Sequence, residues 1–71
     1  MPAPVVFVHG LRTSSSMWDP QVRILGDRGW RCVAPDLPGH GDRRGEPFTV
    51  EAALATIDEA IAGWGEPVHL V

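Results

Sequence analysis

Two clusters of residues in this sequence can do chemistry. The first is His9-Gly10-Leu11, followed by Ser14-Ser15-Ser16 and Trp18; the second is Asp36-Leu37-Pro38-Gly39-His40-Gly41. Cleaving an acyl bond passes through a tetrahedral oxyanion, and backbone N–H groups aimed at that oxygen lower the barrier. Gly10 stands directly after an apolar run, where a residue without Cβ lets the backbone turn sharply and approach a ligand. That turn can point the next N–H, of Leu11, into a crevice. His9 has two ring nitrogens with which to brace the turn, and a bracing role fits it better than proton transfer. Arg12 either contacts a polar substrate or is solvated, and Trp18 either walls a pocket or packs in the core. The three serines have neither a strained elbow nor an adjacent base, so they read as loop and capping residues rather than nucleophiles. Asp36 and His40 invite comparison with a catalytic dyad. Pro38, Gly39 and Gly41 around them instead predict a tight turn in which Asp36 bonds local backbone.

The elements that must position these clusters alternate. Pro4 to Val8 is an apolar, β-branched run without polar alternation, which predicts a parallel strand buried on both faces. A helix is predicted from about Trp18 to Arg28, with Asp19 as N-cap, Pro20 in the first turn, Val22, Ile24 and Leu25 as its apolar side and Gly29 as its stop. Trp30 to Ala34 reads as a second strand, and Asp36 to Pro47 as a loop rich in proline and glycine. Thr49 caps a second helix with Glu51 near its positive end, and Val50, Ala53, Leu54, Ile57 and Ile61 form its apolar face. Gly63 and Gly65 end that helix, and Pro67 to Val71 is a third strand. Strand–helix–strand–helix–strand predicts an α/β fold with parallel strands and right-handed crossovers. Both chemical clusters then fall at the carboxyl ends of strands, where open α/β sheets bind ligands.

Composition narrows the classes. The chain has 71 residues, 44% hydrophobic and 21% charged, with a net charge of −3. At that length folding buries only roughly 60% of the unfolded chain's surface. The lone Cys32 makes no internal disulfide and reads as an inert, buried strand thiol, His69 as a packed or edge histidine, and no cysteine–histidine spacing suits a metal. Six arginines against nine acids form no basic face for nucleic acid. No apolar run reaches the roughly 18 residues of a membrane helix. Met1 to Gly10 has no basic segment ahead of its apolar stretch, so it does not read as a secretory signal, and a cytoplasmic location is expected. Two helices on three parallel strands leave apolar surface uncovered. Residues 1–71 are therefore expected to be an incomplete part of a larger single domain.

The strand-H-G-x-x-x-(S/T)-S-x-x-W opening and the D-x-P-G-H-G loop, in that order and at that spacing, resemble the α/β-hydrolase superfamily over the whole chain. The resemblance implies part of a doubly wound, mostly parallel sheet with strand order 2-1-3 and helices on both faces. It places one oxyanion donor at the Leu11 N–H, with His9, Gly10, Arg12 and Trp18 as pocket or loop-support residues. In the family the third strand leads into the nucleophile elbow, and acid and histidine follow the serine. The nucleophile, acid and base are thus expected outside this chain, which by itself should be inactive. The implied activity is cofactor-independent cleavage of a small carboxylic ester or similar acyl substrate by a serine enzyme, and the implied partner is the remainder of the hydrolase domain. Relatives with an aspartate nucleophile often carry proline two residues after the glycine, where this chain has Arg12. A haloperoxidase-type member, an aspartate-nucleophile member and a non-catalytic interaction protein of the same fold are the alternatives. Relatives often place serine soon after the second loop, where Asp42-Arg43-Arg44 stand here.

Overall fold

A computed structural model describes residues 2–71. Three short strands, β1 (Val5–Val6), β2 (Cys32–Val33) and β3 (His69–Leu70), form one parallel sheet in the order β2-β1-β3. Val5 stands in register with Cys32 and His69, and Val6 with Val33 and Leu70. The ladders run slightly past the strand ends, through Phe7 N–H to Val33 O (2.9 Å) and Val71 N–H to Val6 O (2.9 Å). The central strand is the apolar one: Pro4, Val5, Val6 and Phe7 are all buried. β2 is half-buried, and both residues of β3 are exposed. Burial on both faces, expected of a parallel strand, holds for β1 alone.

The helices α1 (Asp19–Asp27) and α2 (Val50–Ala62) lie on opposite faces of the sheet. Residues in register point to the same side of a parallel sheet, and neighbours along a strand to opposite sides. Leu25 of α1 shares an open apolar hollow of about 360 Å³ with Val5, Phe7, His69 and Val71. Glu59 and Ala60 of α2 line a second hollow with Val33, which belongs to the other face. Right-handed crossovers leaving β1's neighbourhood in opposite directions require this arrangement.

Several local expectations shift. Asp19 is not the N-cap of α1. A 3₁₀ turn over Ser15–Trp18 runs directly into the helix, so Asp19 N–H already bonds Ser16 O, Trp18 takes the cap position, and Asp19 is the first helical residue. Val22 and Leu25 are half-buried, but Ile24 is exposed, because α1 lies over only part of its sheet face. In α2 the buried residues are Ala53 and Thr56, while Val50 and Leu54, read as part of the apolar face, are 64% and 55% exposed. Small side chains bring the helix close to its neighbours. The Thr56 hydroxyl is tolerated there because it donates to Ala52 O (2.9 Å) and accepts from the Arg43 guanidinium (2.8 Å). The Thr49 cap is as predicted, its side chain accepting from Ala52 N–H at 3.0 Å. At the end of α2 the left-handed residue is Gly65, not Gly63.

Gly29 stops α1 by a specific device. Trp30 N–H bonds Leu25 O and Gly29 N–H bonds Gly26 O, both at 3.0 Å, and Gly29 has φ +86°. This is the paired closure of a Schellman motif, with glycine in the left-handed position. A Cβ at Gly29 would meet nothing within 4 Å, so Gly29→Ala isolates the backbone cost. The expected loss is about 1 kcal/mol of stability, read by urea unfolding of the folded domain.

Candidate functional site

The loop after β1 is fixed by one carbonyl. Gly10 O accepts from His9 Nδ1–H (2.8 Å), from Thr13 N–H (3.3 Å) and from the Thr13 hydroxyl. The Thr13 N–H bond closes a four-residue turn over Gly10–Thr13. Its third residue, Arg12, has φ +65°, while Leu11 stays on the ordinary side of φ, which is the pattern of a type II turn. The left-handed residue is therefore Arg12 and not Gly10. Gly10 contributes openness instead: a Cβ there would meet nothing within 4 Å. Leu11 sits at the tip with its side chain 68% exposed, and its N–H donates to no acceptor among the described residues.

His9 is buried and fully engaged. A carbonyl has no proton to give, so the bond to Gly10 O puts the proton on Nδ1. Nε2 then accepts from Leu37 N–H at 3.0 Å. Both nitrogens are spent on backbone, one on each chemical cluster, which leaves none for proton transfer. The His9 ring lies 4.9 Å from that of His40, and His40 stands edge-on to Phe48 at 5.6 Å. His40 Nδ1–H donates to Pro38 O (3.0 Å). Trp18 is half-buried, with its ring tilted against Phe7 at 4.7 Å, on the α1 side of the sheet.

Asp36 and His40 form no dyad. The Asp36 carboxylate accepts from Ser15 N–H (2.8 Å, Oδ1) and from Asp42 N–H (3.0 Å, Oδ2). It thereby caps the 3₁₀ turn of the first loop and a second 3₁₀ turn at Gly41–Arg43. Ser14 and Ser16 bond each other through their hydroxyls (2.6 Å). The bond from Ser15 N–H, with that from Asp42 behind it, holds the Asp36 carboxyl below the usual carboxylate range against the opposing effect of burial. The sign follows from linkage: a depressed folded-state value stabilises the fold above the unfolded value, and that stability disappears as pH falls through the folded value. Comparing wild type with Asp36→Asn by urea unfolding should therefore show a wild-type advantage at pH 7 that shrinks as the pH drops below about 4. An advantage independent of pH would exclude the charged-acceptor role.

Arg43 is a positioning residue the sequence reading missed. Its guanidinium makes paired bonds to Glu46 (2.9 and 2.7 Å), bonds Thr56 of α2 and reaches Asp36 O (3.4 Å). The only signal for it is the Arg43–Glu46 spacing; the contact to Thr56 spans 13 residues. Cys32 is half-buried in β2, where burial pushes its thiol up, away from the reactive thiolate. Among the described residues no three His, Cys, Asp or Glu side chains gather as metal ligands, and no helix is long and apolar enough to cross a membrane.

Known proteins match this sequence. Residues 5–71 fit the model of the alpha/beta hydrolase family. The chain is 37% identical over 62 residues to Protein ABHD14A of Mus musculus, covering 83% of this chain and 25% of that protein. It is 38% identical over 64 residues to a non-heme chloroperoxidase of Streptomyces lividans, covering 82% and 23%. A non-heme haloperoxidase of Rhodococcus erythropolis is 47% identical over 38 residues, covering 54% and 14%. The matched part is thus about a quarter or less of the length of these curated relatives. No solved structure matches the chain. With the parallel order β2-β1-β3, helices on both faces and two loops gathered at the carboxyl end of β1, the chain belongs to the alpha/beta hydrolase family.

Proposed function

We propose that the chain is the N-terminal part, residues 1–71, of a single hydrolase domain that cleaves a small carboxylic ester or similar acyl compound without a cofactor. One observation carries this reading: the unengaged Leu11 N–H, held at the carboxyl end of the central strand by a turn whose carbonyl is bonded three times. Such a donor is pre-aimed and needs no reorganisation when negative charge develops on a bound carbonyl oxygen. His9 and Gly10 support the donor by fixing and opening the turn, Arg12 is its chain neighbour, and Trp18, packed on Phe7, is the proposed wall of the substrate pocket. The remainder of the domain, as continuation or second polypeptide, supplies a serine nucleophile with its base and acid. It also covers the exposed β3 and the apolar hollow beside α1. The setting is cytoplasmic, in keeping with the unpaired Cys32.

The test uses the complete protein with p-nitrophenyl butyrate and a fluorophosphonate. Turnover above the solvent rate, abolished by labelling of one serine, is expected; absence of both overturns the reading. Residues 1–71 alone should show neither. The relatives named haloperoxidase and chloroperoxidase support a second reading, in which the same site serves peroxide-dependent halogenation. Bromination dependent on hydrogen peroxide and bromide, faster than ester turnover, would favour it.

A further inference from the structure

We infer that Arg12 is a specificity-determining residue, and that the substrate carries an anionic group a few bonds from its scissile carbonyl. The inference rests on the proposed acyl-hydrolase reading and deepens it to a substrate class. Three observations meet at Arg12. First, it is the one non-glycine residue with positive φ among the described residues, at +65°. The third place of a type II turn suits glycine or asparagine, and an arginine there is strained. The surroundings enforce that strain through the three bonds to Gly10 O.

Second, the guanidinium is unclaimed. Arg31 is bonded to Glu66 and Pro2 O, Arg43 to Glu46 and Thr56, and Arg44 to Gly41 O. Arg12, like Arg23 and Arg28, is exposed and has no side-chain hydrogen bond or ion pair among the described residues, and of these three it alone stands in the turn that bears Leu11. Third, it is the immediate neighbour of the proposed oxyanion donor. Adjacent Cα atoms lie about 3.8 Å apart, which places a long, permanently charged side chain within reach of whatever occupies the Leu11 N–H. The planar guanidinium fits a carboxylate through two parallel hydrogen bonds. A half-ester of a short dicarboxylic acid has both features: a carbonyl for Leu11 and a carboxylate for Arg12. An exposed ion pair in water contributes little, so the discrimination develops as the bound acyl compound excludes solvent.

The complete hydrolase is assayed with two esters of matched length, p-nitrophenyl butyrate and the p-nitrophenyl half-ester of succinate. Wild type should have the higher kcat/KM on the anionic ester. Arg12→Gln should lower the ratio of anionic to neutral kcat/KM at least tenfold, and Arg12→Lys should keep a third or more of the wild-type ratio. A ratio unchanged within twofold in Arg12→Gln, an equal fall in Arg12→Lys, or a wild-type preference for the neutral ester overturns the assignment. Turnover of the neutral ester without charge discrimination leaves the hydrolase reading standing and removes this one. If neither ester is turned over, binding of methyl hydrogen succinate is followed by NMR at the Arg12 Nε–H. Saturation in wild type that is lost in Arg12→Gln supports the anion site independently of catalysis, and no response in wild type overturns it.

Discussion

Replacing the Leu11 amide nitrogen by an ester oxygen in the complete protein is expected, on the proposed oxyanion role of that N–H, to lower kcat by about 10²–10³, with KM changing far less. That is the cost of one lost oxyanion donor, roughly 2.7–4 kcal/mol. The argument separates backbone from side chain. The Leu11 side chain is exposed and has no acid, base or nucleophile, so Leu11→Ala should retain most of kcat and alter mainly substrate fit. Leu11→Pro deletes the same N–H by ordinary mutagenesis, and the turn makes it a fair probe. Leu11 is the second residue of a type II turn, a position whose φ proline adopts without strain. Gly10 before it tolerates the extended conformation that a following proline demands. Leu11→Pro should therefore lose activity by a similar factor while circular dichroism and Tm stay at wild-type values. A kcat within about twofold of wild type in the ester-substituted protein would show that the oxyanion is stabilised elsewhere.

The order of elements is legible in the sequence because each carries a local signal: β-branched runs for the strands, Thr49 as a cap, Gly29 as a stop. The site is legible in outline, since His9, Gly10 and Leu11 do sit at the carboxyl end of β1. Its mechanics are not. The bond from Ser15 N–H to Asp36 joins residues 21 apart, and that from Leu37 N–H to His9 joins residues 28 apart. Spacing along the chain contains nothing about either. The left-handed residue falls on Arg12 rather than on Gly10, two residues earlier, because the three bonds to Gly10 O decide where the turn closes. A propensity argument assigns such a conformation to glycine by default. The buried side of α2 shows the same limit. Periodicity ranks Leu54 above Thr56, yet Thr56 is inside, its hydroxyl satisfied by Ala52 O and by Arg43 from another loop.

Gly41→Ala is expected to cost roughly 4 kcal/mol or more, enough to threaten a fold whose whole stability is typically 5–15 kcal/mol. Two effects add. Gly41 has φ +53°, a conformation that costs a residue with Cβ about 1 kcal/mol. A Cβ there would also clash with Asp36 Oδ1 and stand 2.5 Å from its Cγ and Oδ2. The carboxylate cannot move aside freely, because Oδ1 holds Ser15 N–H and Oδ2 holds Asp42 N–H. Displacing it breaks two hydrogen bonds to a charged group, each contributing about 1.5–3 kcal/mol. The clash predicts a specific non-additivity. In an Asp36→Ala background the carboxylate is already gone, so adding Gly41→Ala should cost only the backbone share, about 1 kcal/mol. Urea unfolding of the four proteins of this cycle, in the complete domain, measures the coupling. Additive costs would show that Asp36 and Gly41 act independently, and that the carboxylate is not what ties the second loop to the turn bearing Leu11. A coupling of several kcal/mol would identify the Asp36 carboxylate as that tie, with loss of kcat in Gly41→Ala following from a loosened Ser15 and a Leu11 N–H no longer held in place.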